Sequence, residues 1–275
     1  MKIAKADRVL SAESERSVAR HLYSRYSTTL SESSLQALLS EAGCYFSEIS
    51  DSNYTARKAL NDFLLKHYPN EIIIKANFID SVLLKQSQAN VSIFELPIGD
   101  SRADLCKING YSSAYEIKTE LDSFSRLEKQ LQDYFDVFEY VYVITSENQL
   151  KSLPDYVPEN CGIYSYRQMR NCIHRFKLQR TPIRNRNLDA QKQLEIVSKV
   201  AIANKLNSSA SHSKECLINE CVRRIPPSEI NRLFKLYLMT KYKKRWSHFK
   251  EANSLIYEID YQWFFHNNLD PTIVY

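Results

Sequence analysis

The chain has 275 residues, of which 44% are hydrophobic, and its 37 Lys and Arg against 32 Asp and Glu give a formal net charge of +5. A hydrophobic fraction of this size excludes wholesale disorder, and the length suits one large domain or two modest ones. No apolar run approaches the roughly 18 residues of a membrane span, and the N-terminus lacks the apolar segment of a signal peptide, so we expect a cytoplasmic protein that does not contact membranes.

The first part of the chain has the hydrophobic spacing of helices. Apolar residues three and four positions apart predict one helix over about 14–40 and a second over about 55–66, and Pro69 ends this region. A further short helix is expected around 77–85. We therefore assign residues 1–67 to an N-terminal helical region.

The middle of the chain contains runs rich in Val, Ile, Tyr and Phe, which are typical of strands. Asn109-Gly110 lies between two of these runs and predicts a hairpin turn, and a helical pattern precedes the last long run, which predicts a crossover and a parallel strand. We predict an α/β core with a mixed sheet over residues 68–164, built as helix, three-strand meander, crossover helix and strand. The expected strands are 91–96, 102–108, 113–118 and 140–145, with a short one at 161–164.

The last part is strongly basic. Residues 165–250 contain 20 Lys and Arg against 5 Asp and Glu, whereas the rest of the chain contains 17 against 27. We predict a basic helical C-terminal region, 165–275, with an aromatic tail that must be buried. This uneven distribution of charge suggests that the protein binds nucleic acid. The alternative is a basic surface that is simply solvated. The expected helices lie near 165–178, 189–206, 213–223 and 227–250.

Three residues in the predicted meander form a candidate catalytic cluster. If the hairpin is centred on Gly110, Asp104 lies opposite Glu116, and Lys118 shares the face of Glu116 because strand side chains alternate. Two carboxylates close together suit Mg²⁺, and a neighbouring lysine could orient the attacking water. The ordinary alternative is a salt bridge on an exposed strand, since an E-x-K triplet arises by chance about once in a chain of this length.

These residues carry a family resemblance. The runs GDSRADL, YEIKTELD, RLEKQLQDY and VYVIT together resemble the PD-(D/E)xK, or restriction-endonuclease-like, nuclease superfamily, whose core order is αβββαβ. Gln130-x-x-x-Tyr134 resembles the motif of its RecB-like exonuclease branch. The stretch over about 68–145 is more closely similar to a family of largely uncharacterised bacterial proteins often encountered near mobile elements.

The resemblance implies a Mg²⁺- or Mn²⁺-dependent phosphodiesterase that acts on DNA. It implies Lys118 as the catalytic lysine, and Gln130 and Tyr134 as residues that support the site or contact DNA. The implied metal ligands are Asp104, Glu116 and the backbone carbonyl of Ile117.

Other acidic and basic residues near the motif have two interpretations each. The superfamily often adds an acid from its first core helix, where only Asp80 falls, so Glu95 on the first strand is our substitute ligand; a solvent-facing glutamate is the alternative. Glu120 and Asp122 could bind metal or cap the next helix, and we favour the cap. Arg102 could contact phosphate or pair with nearby carboxylates.

His212, Cys216 and Cys221, with Cys172 and His174 upstream, could be drawn as a zinc site. Their spacing fits no compact zinc module, so we favour buried, reduced cysteines.

Two segments mix bases with aromatic rings, as a DNA-tracking surface does; the alternative is an amphipathic helix with solvated bases. The candidate nucleic-acid contacts, besides Arg102, are Arg167, Arg170, Arg175, Lys243, Lys244 and Arg245.

Our leading hypothesis is a metal-dependent DNA nuclease in a defence, mobile-element or DNA-processing setting. One alternative is a nucleic-acid-binding module that keeps the fold without catalysis, and another is a nuclease that needs a partner protein or a second copy. RNA stays open as a substrate. The chain contains no P-loop or dinucleotide-type glycine loop, so neither ATP nor nicotinamide chemistry is expected.

Overall fold

The computed structural model describes residues 12–42, 54–85, 90–153, 155, 157–170, 173–208 and 212–275. The fold is mixed α/β, with one six-stranded sheet and helices packed on it. Within these ranges, no helix combines the length and the apolar character that crossing a membrane requires. The predicted α/β class and mixed sheet are confirmed.

The sheet joins the strands in chain order. β1, β2 and β3 are antiparallel neighbours, β4 is parallel to β3, β5 is parallel to β4, and β6 is antiparallel to β5. The predicted meander, crossover and parallel fourth strand are therefore confirmed. The strands are β1 (Val91–Ile98), β2 (Ser101–Ile108), β3 (Ser112–Lys118), β4 (Tyr140–Ser146), β5 (Gly162–Gln168) and β6 (His174–Arg180).

The α-helices of the described ranges precede, cross over and follow this sheet. They are α1 (Ala12–Arg25), α2 (Glu32–Glu41), α3 (Ala56–His67), α4 (Glu71–Phe78), α5 (Leu127–Val137), α6 (Ala190–Ile196), α7 (Lys199–Leu206), α8 (Lys214–Arg224), α9 (Pro227–Ala252) and α10 (Tyr261–Asn267). A π-helical turn, Ile79–Leu83, continues α4.

Helices cover both faces of the central strands. On one face the ring of Phe78 in α4 packs against Tyr115 and Tyr164, with 5.3 Å between ring centroids in each case. On the opposite face Tyr134 of α5 reaches Glu116. Because both faces are covered, every residue of β3 is buried, and its polar side chains lie in the interior rather than in water.

The turn at Gly110 sets the register of the meander. Leu105 pairs with Tyr115, which centres the β2–β3 hairpin on Gly110 as predicted, and the φ of Gly110 is +90°. A side chain there would strain the backbone, because only glycine adopts such φ values freely. This register continues to Asp104 opposite Glu116.

The expected helix over 165–178 is wrong, because this segment forms the hairpin of β5 and β6. Its aromatic residues alternate, as in a strand with one covered face, and the many bases between them lie on the exposed side. β5 thus crosses the boundary drawn between residues 164 and 165. The division into 1–67, 68–164 and 165–275 stays a prediction.

Serine caps divide two of the predicted long helices. The hydroxyl of Ser31 accepts a backbone N–H and starts α2, so the helix expected over 14–40 is two helices. Ser198 does the same for α7 within 189–206. Such caps satisfy backbone donors that a helix start leaves unpaired, so a new helix can begin where the chain bends.

The N-terminal helices and the aromatic tail meet on one buried carboxylate. Asp260 accepts hydrogen bonds from the hydroxyls of Tyr26 (2.8 Å), Thr28 (2.6 Å) and Tyr275 (2.7 Å), and Arg57 lies 3.7 Å away. The tail is buried as predicted, with Tyr261, Phe264 and Phe265 in the core.

A second acid, Asp80, faces this C-terminal part and gives the fold a pH dependence. Its carboxylate lies 3.0 Å from the hydroxyl of Tyr261, and burial raises its pKa to about 6. Because this pKa is higher in the folded than in the unfolded chain, the folded state binds the proton more tightly between about pH 4 and pH 6. The contribution of this carboxyl to the free energy of unfolding therefore falls as the pH rises through that window.

We predict that Asp80→Asn removes this loss, because the amide oxygen still accepts from Tyr261 but carries no charge. At about 1.4 kcal/mol per pKa unit, the variant should gain up to roughly 3 kcal/mol over the wild type at pH 7 and little at pH 4. Urea unfolding at both pH values measures the difference. An equal effect at pH 4 and pH 7 would contradict the assignment.

Candidate active site

Three adjacent strands place three carboxylates in a row. The register that pairs Phe94 with Leu105 continues to Glu95 opposite Asp104, just as the next hairpin brings Asp104 opposite Glu116. Glu95 has a φ of +54°, which is uncommon and costly for a residue other than glycine. A non-glycine residue held in this conformation inside a strand is a feature that clusters at functional sites.

Helix α4 adds a fourth carboxylate from its first turn. Glu71, Glu95 and Asp104, here called the acid cluster, each offer a carboxylate oxygen, and these oxygens all lie within 4.8 Å of one another. Asp104 is buried, whereas the Glu71 side chain is 42% exposed. The cluster therefore reaches from the sheet interior to solvent.

A buried lysine compensates the charge of the acid cluster. The Lys75 ammonium lies 2.9 Å from Glu71, also contacts Glu95, and donates to the amide oxygen of Gln262 in α10 at 3.0 Å. Burial lowers the pKa of Lys75, but the carboxylates of Asp104, Glu71 and Glu95 outweigh it and raise the pKa above its ordinary value. Lys75 is thus a permanent cation among the acids.

The carboxyl groups of Asp104 and Glu116 both have raised pKa values. Burial, together with the charges of Glu116 and Glu71, raises the pKa of Asp104 well above its ordinary value, although the Ile117 N–H donates to Asp104 at 2.6 Å. Burial also raises the pKa of Glu116, against the effect of Lys118. Such carboxyls gain most from an additional cation that keeps them ionised.

The motif residues form one continuous hydrogen-bonded chain. Lys118 lies 2.8 Å from one oxygen of Glu116 and donates to Gln130 at 2.9 Å. The other oxygen of Glu116 lies 2.7 Å from the Tyr134 hydroxyl, which also lies 2.8 Å from the carbonyl oxygen of Arg102. Gln130 and Tyr134 are four residues apart on α5, so they face the strand together.

Arg102 is a carboxylate partner in this structure. Its Nε lies 2.5 Å from Glu95, while 67% of its side chain is exposed. Asp80 lies apart from the acid cluster, bonded to Tyr261. Of the candidates for the missing acid, the strand residue Glu95 joins the cluster and the helical Asp80 does not.

The expected cap on α5 is wrong. The residue at that position is Arg126, which makes no side-chain cap bond. Asp122 instead accepts from the backbone N–H of Thr119 at 2.9 Å, and Glu120 accepts from Asn148. Asp122 thus stabilises the loop after β3, and Glu120 joins that loop to the segment after β4.

The zinc arrangement is not assembled by the described residues. Cys172 lies outside them, Cys221 is buried on α8, and Cys216 is exposed on the same helix. His174 belongs to β6, in the sheet. Within the described ranges, the acid cluster is the one group of three or more potential ligands.

All the predicted nucleic-acid contacts of the C-terminal region are exposed. Arg167 and Arg175 face each other across the β5–β6 hairpin, and Arg170 lies at its turn. The other three are Lys243, Lys244 and Arg245, which lie on α9.

Glu71 and Lys75 were not predicted as site residues. The first core helix was expected at 77–85, but α4 begins at Glu71, where the side chain of Asn70 accepts the N–H of Ile73 at 3.1 Å. Asparagine before an acid and an apolar run is a start signal for a helix. That signal would have found Glu71 and, four residues on, Lys75.

Comparisons with known proteins identify a family. The sequence matches the family model of bacteriophage P4 protein cII over residues 65–260, more than half of the chain. One relative, protein cII of Enterobacteria phage P4, is 34% identical over 77 residues, which are 28% of this chain and 29% of that relative. A solved structure of a protein of unknown function from Silicibacter pomeroyi is 16% identical with a TM-score of 0.31, and covers 46% of this chain and 84% of its own. A TM-score of that size supports no conclusion about the fold.

We predict that Lys75→Met lowers the free energy of unfolding by about 3–5 kcal/mol, because it leaves buried carboxylates without their cation. Millimolar Mn²⁺ should restore more stability to this variant than it adds to the wild type, since the ion then replaces the ammonium. Thermal and urea unfolding with and without Mn²⁺ measure both effects.

Lys58→Met is the matched control. Lys58 is 43% exposed and lies 2.9 Å from Asp62, which is 39% exposed on α3, so its loss should cost no more than about 1 kcal/mol. Equal costs for the two variants would show that Lys75 does not compensate the acid cluster.

Proposed function

The chain belongs to the family of bacteriophage P4 protein cII, and we propose that it is a metal-dependent nuclease that hydrolyses phosphodiester bonds in DNA. The observation that carries the proposal is the acid cluster beside the Glu116–Lys118–Gln130 chain. We further propose that α4, β1, β2, β3, α5 and β4 form a restriction-endonuclease-like core. Their order along the chain is αβββαβ, which supports this finer assignment.

The donor set of the acid cluster fits a hard divalent cation. Mg²⁺ binds carboxylate oxygens at about 2.1 Å, so oxygens on one ion lie at most about 4.2 Å apart. The three oxygens lie within 4.8 Å, so a closing of about half an ångström would bring them into that range. Glu71, Glu95 and Asp104 would hold the ion, and Glu116 is the proposed additional ligand. The carbonyl of Ile117 stays a predicted ligand.

A bound Mg²⁺ or Mn²⁺ would supply an activated water and neutralise negative charge on the phosphate. The Lys118 ammonium supplies a second positive charge, beside the carboxylate of Glu116. Its ammonium has three N–H donors, of which Glu116 and Gln130 take two. No further partner of the ammonium lies among the described residues, so we propose that the third N–H donates to the attacking water or to a phosphate oxygen.

Two residues of α5 position this machinery. Gln130 holds the Lys118 ammonium, and the Tyr134 hydroxyl lies against Glu116, so the side chains of β3 cannot turn away. Rigid placement of a charged donor matters because electrostatic stabilisation costs least when the donor is already oriented. Gln130 and Tyr134 are therefore positioning residues.

We predict that the wild type cleaves DNA only with Mg²⁺ or Mn²⁺, and that Asp104→Ala and Lys118→Ala each lower the rate by at least about 10²–10⁴-fold. Linear, circular and single-stranded DNA and RNA, incubated with purified protein, measure this activity. The RNA arm decides between the two nucleic acids. Circular substrate distinguishes internal cutting from cutting at ends.

Lys129→Ala is the control, because Lys129 is exposed on α5 and its ammonium pairs with Asp133, which is not one of the proposed site residues. Circular dichroism must show that every variant is folded. Metal-dependent cleavage that survives both Asp104→Ala and Lys118→Ala would refute the assigned site.

A second candidate function is nucleic-acid binding without catalysis, or catalysis only with a partner protein or a second copy. Lys75 favours it, because its ammonium already supplies a positive charge in contact with Glu71 and Glu95 of the acid cluster. Calorimetric titration of the wild type with Mn²⁺ distinguishes these two alternatives. A module that only binds nucleic acid should give no heat of Mn²⁺ binding, whereas a nuclease that needs a partner should bind Mn²⁺ without cleaving DNA. The P4 relative, a phage protein, agrees with a mobile-element setting.

A further inference from the structure

A long basic depression lies beside the acid cluster, on the side of the N-terminal helices. Its widest part is a pocket of about 800 Å³ between α1, the end of α3 and the loop after β3. Arg16, Pro69, Leu121 and Gln168 also line a second pocket, of about 320 Å³, which shares Glu147 and Arg167 with a third, of about 410 Å³. The three pockets therefore form one continuous depression, here called the basic trough.

Positive charge dominates the basic trough. Glu120 and Glu147 are the acids in its lining. Arg16 and Arg20 on α1 and Lys66 on α3 are exposed and form no ion pair with any described residue, so their charges are available to a ligand. The bases of the trough are Arg16, Arg20, Lys66, Arg167, Arg175 and Lys177.

The hairpin wall of the trough pairs like charges. Arg167 and Arg175 are direct partners in the β5–β6 register, and both are exposed. Like charges directly opposite each other on neighbouring strands are destabilising. An anion between the two guanidinium groups turns this repulsion into attraction, which suits a surface that binds phosphate.

The middle of the trough also contains an unsatisfied polar group. His174 is 1% exposed, lines the second pocket, and its Nδ1 has no hydrogen-bond partner in the described part of the chain. Buried polar atoms in native proteins are nearly always paired. A ligand or a water in the trough would give the Nδ1 atom of His174 a hydrogen-bond partner.

The trough begins next to the acid cluster. Pro69 is two residues before Glu71, and Leu121 is three residues after Lys118. Consecutive Cα atoms are 3.8 Å apart, so these wall residues lie within about 8–11 Å of the site along the chain. A polynucleotide that runs along the trough would therefore pass within about 8–11 Å of Glu71 and Lys118.

We propose that the basic trough holds the phosphate backbone of a polynucleotide on its way into the acid cluster. The occupant is a polynucleotide rather than one small anion, because the bases are spread over two helices and a hairpin. This places the principal backbone contacts on α1, α3 and β5–β6 instead of on α9. The proposal rests on the proposed function in taking the acid cluster as the place of cleavage.

The test measures binding, not cleavage. Labelled DNA oligonucleotides, single-stranded and duplex, are titrated with full-length protein in EDTA over a range of KCl concentrations. The triple variant Arg16→Ala, Arg20→Ala, Lys66→Ala should reduce the magnitude of the negative slope of log K against log salt by about 2–3. Each lost phosphate contact removes about 0.7–0.9 from that magnitude. At 0.1 M salt its affinity should fall by about 10²-fold.

The control is the triple variant Arg186→Ala, Lys199→Ala, Arg223→Ala, which removes the same charge from residues outside the trough. It should leave the salt slope within about one of the wild-type value. Equal slopes for the two triple variants would overturn the trough assignment, even if the wild type cleaves DNA. A wild type that binds through the trough but never cleaves would instead overturn the proposed function and leave the trough in place.

Discussion

The structure depends on how one end of the sheet accommodates four buried or half-buried carboxylates. Isolated, such charges would be expelled from a protein interior, because the loss of hydration costs several kcal/mol per ion. Here two lysines compensate them, Lys75 from α4 and Lys118 from β3. The raised pKa of Asp104 shows that the compensation is incomplete. The fold therefore places the two lysines where positive charge is needed, and the same need supports the proposal that a divalent ion binds here.

The N- and C-terminal parts of the chain complete this arrangement from two sides. From one side α10 contributes Gln262 to the Lys75 ammonium, and Arg102 covers Glu95. From the other side α1 and α3 line the basic trough that begins beside the site. Part of the basic surface expected in the C-terminal region therefore continues onto the N-terminal helices, because the β5–β6 hairpin lines the same trough as α1 and α3.

Local signals explain which features could be predicted. Asn109-Gly110 determined the register of the meander through turn chemistry, and the four-residue spacing of Gln130 and Tyr134 is a property of one helix. The helix start at Asn70 could have placed Lys75 beside Glu71, but it could not predict that Lys75 is buried, because Glu95 and Gln262 come from β1 and α10. The hairpin at 165–178 was missed because its bases, which face solvent, hid the alternation of its aromatic residues.

The bond between Lys75 and Gln262 has a consequence for the newly made protein. The two residues are separated by 187 positions, and synthesis at 5–20 residues per second puts roughly 10–40 s between their appearance. During that interval the sheet and its carboxylates can form, but the helix that closes over the lysine has not been made. Until α10 docks, the Lys75 ammonium lacks its Gln262 partner, and the full set of contacts around it arises only after that step.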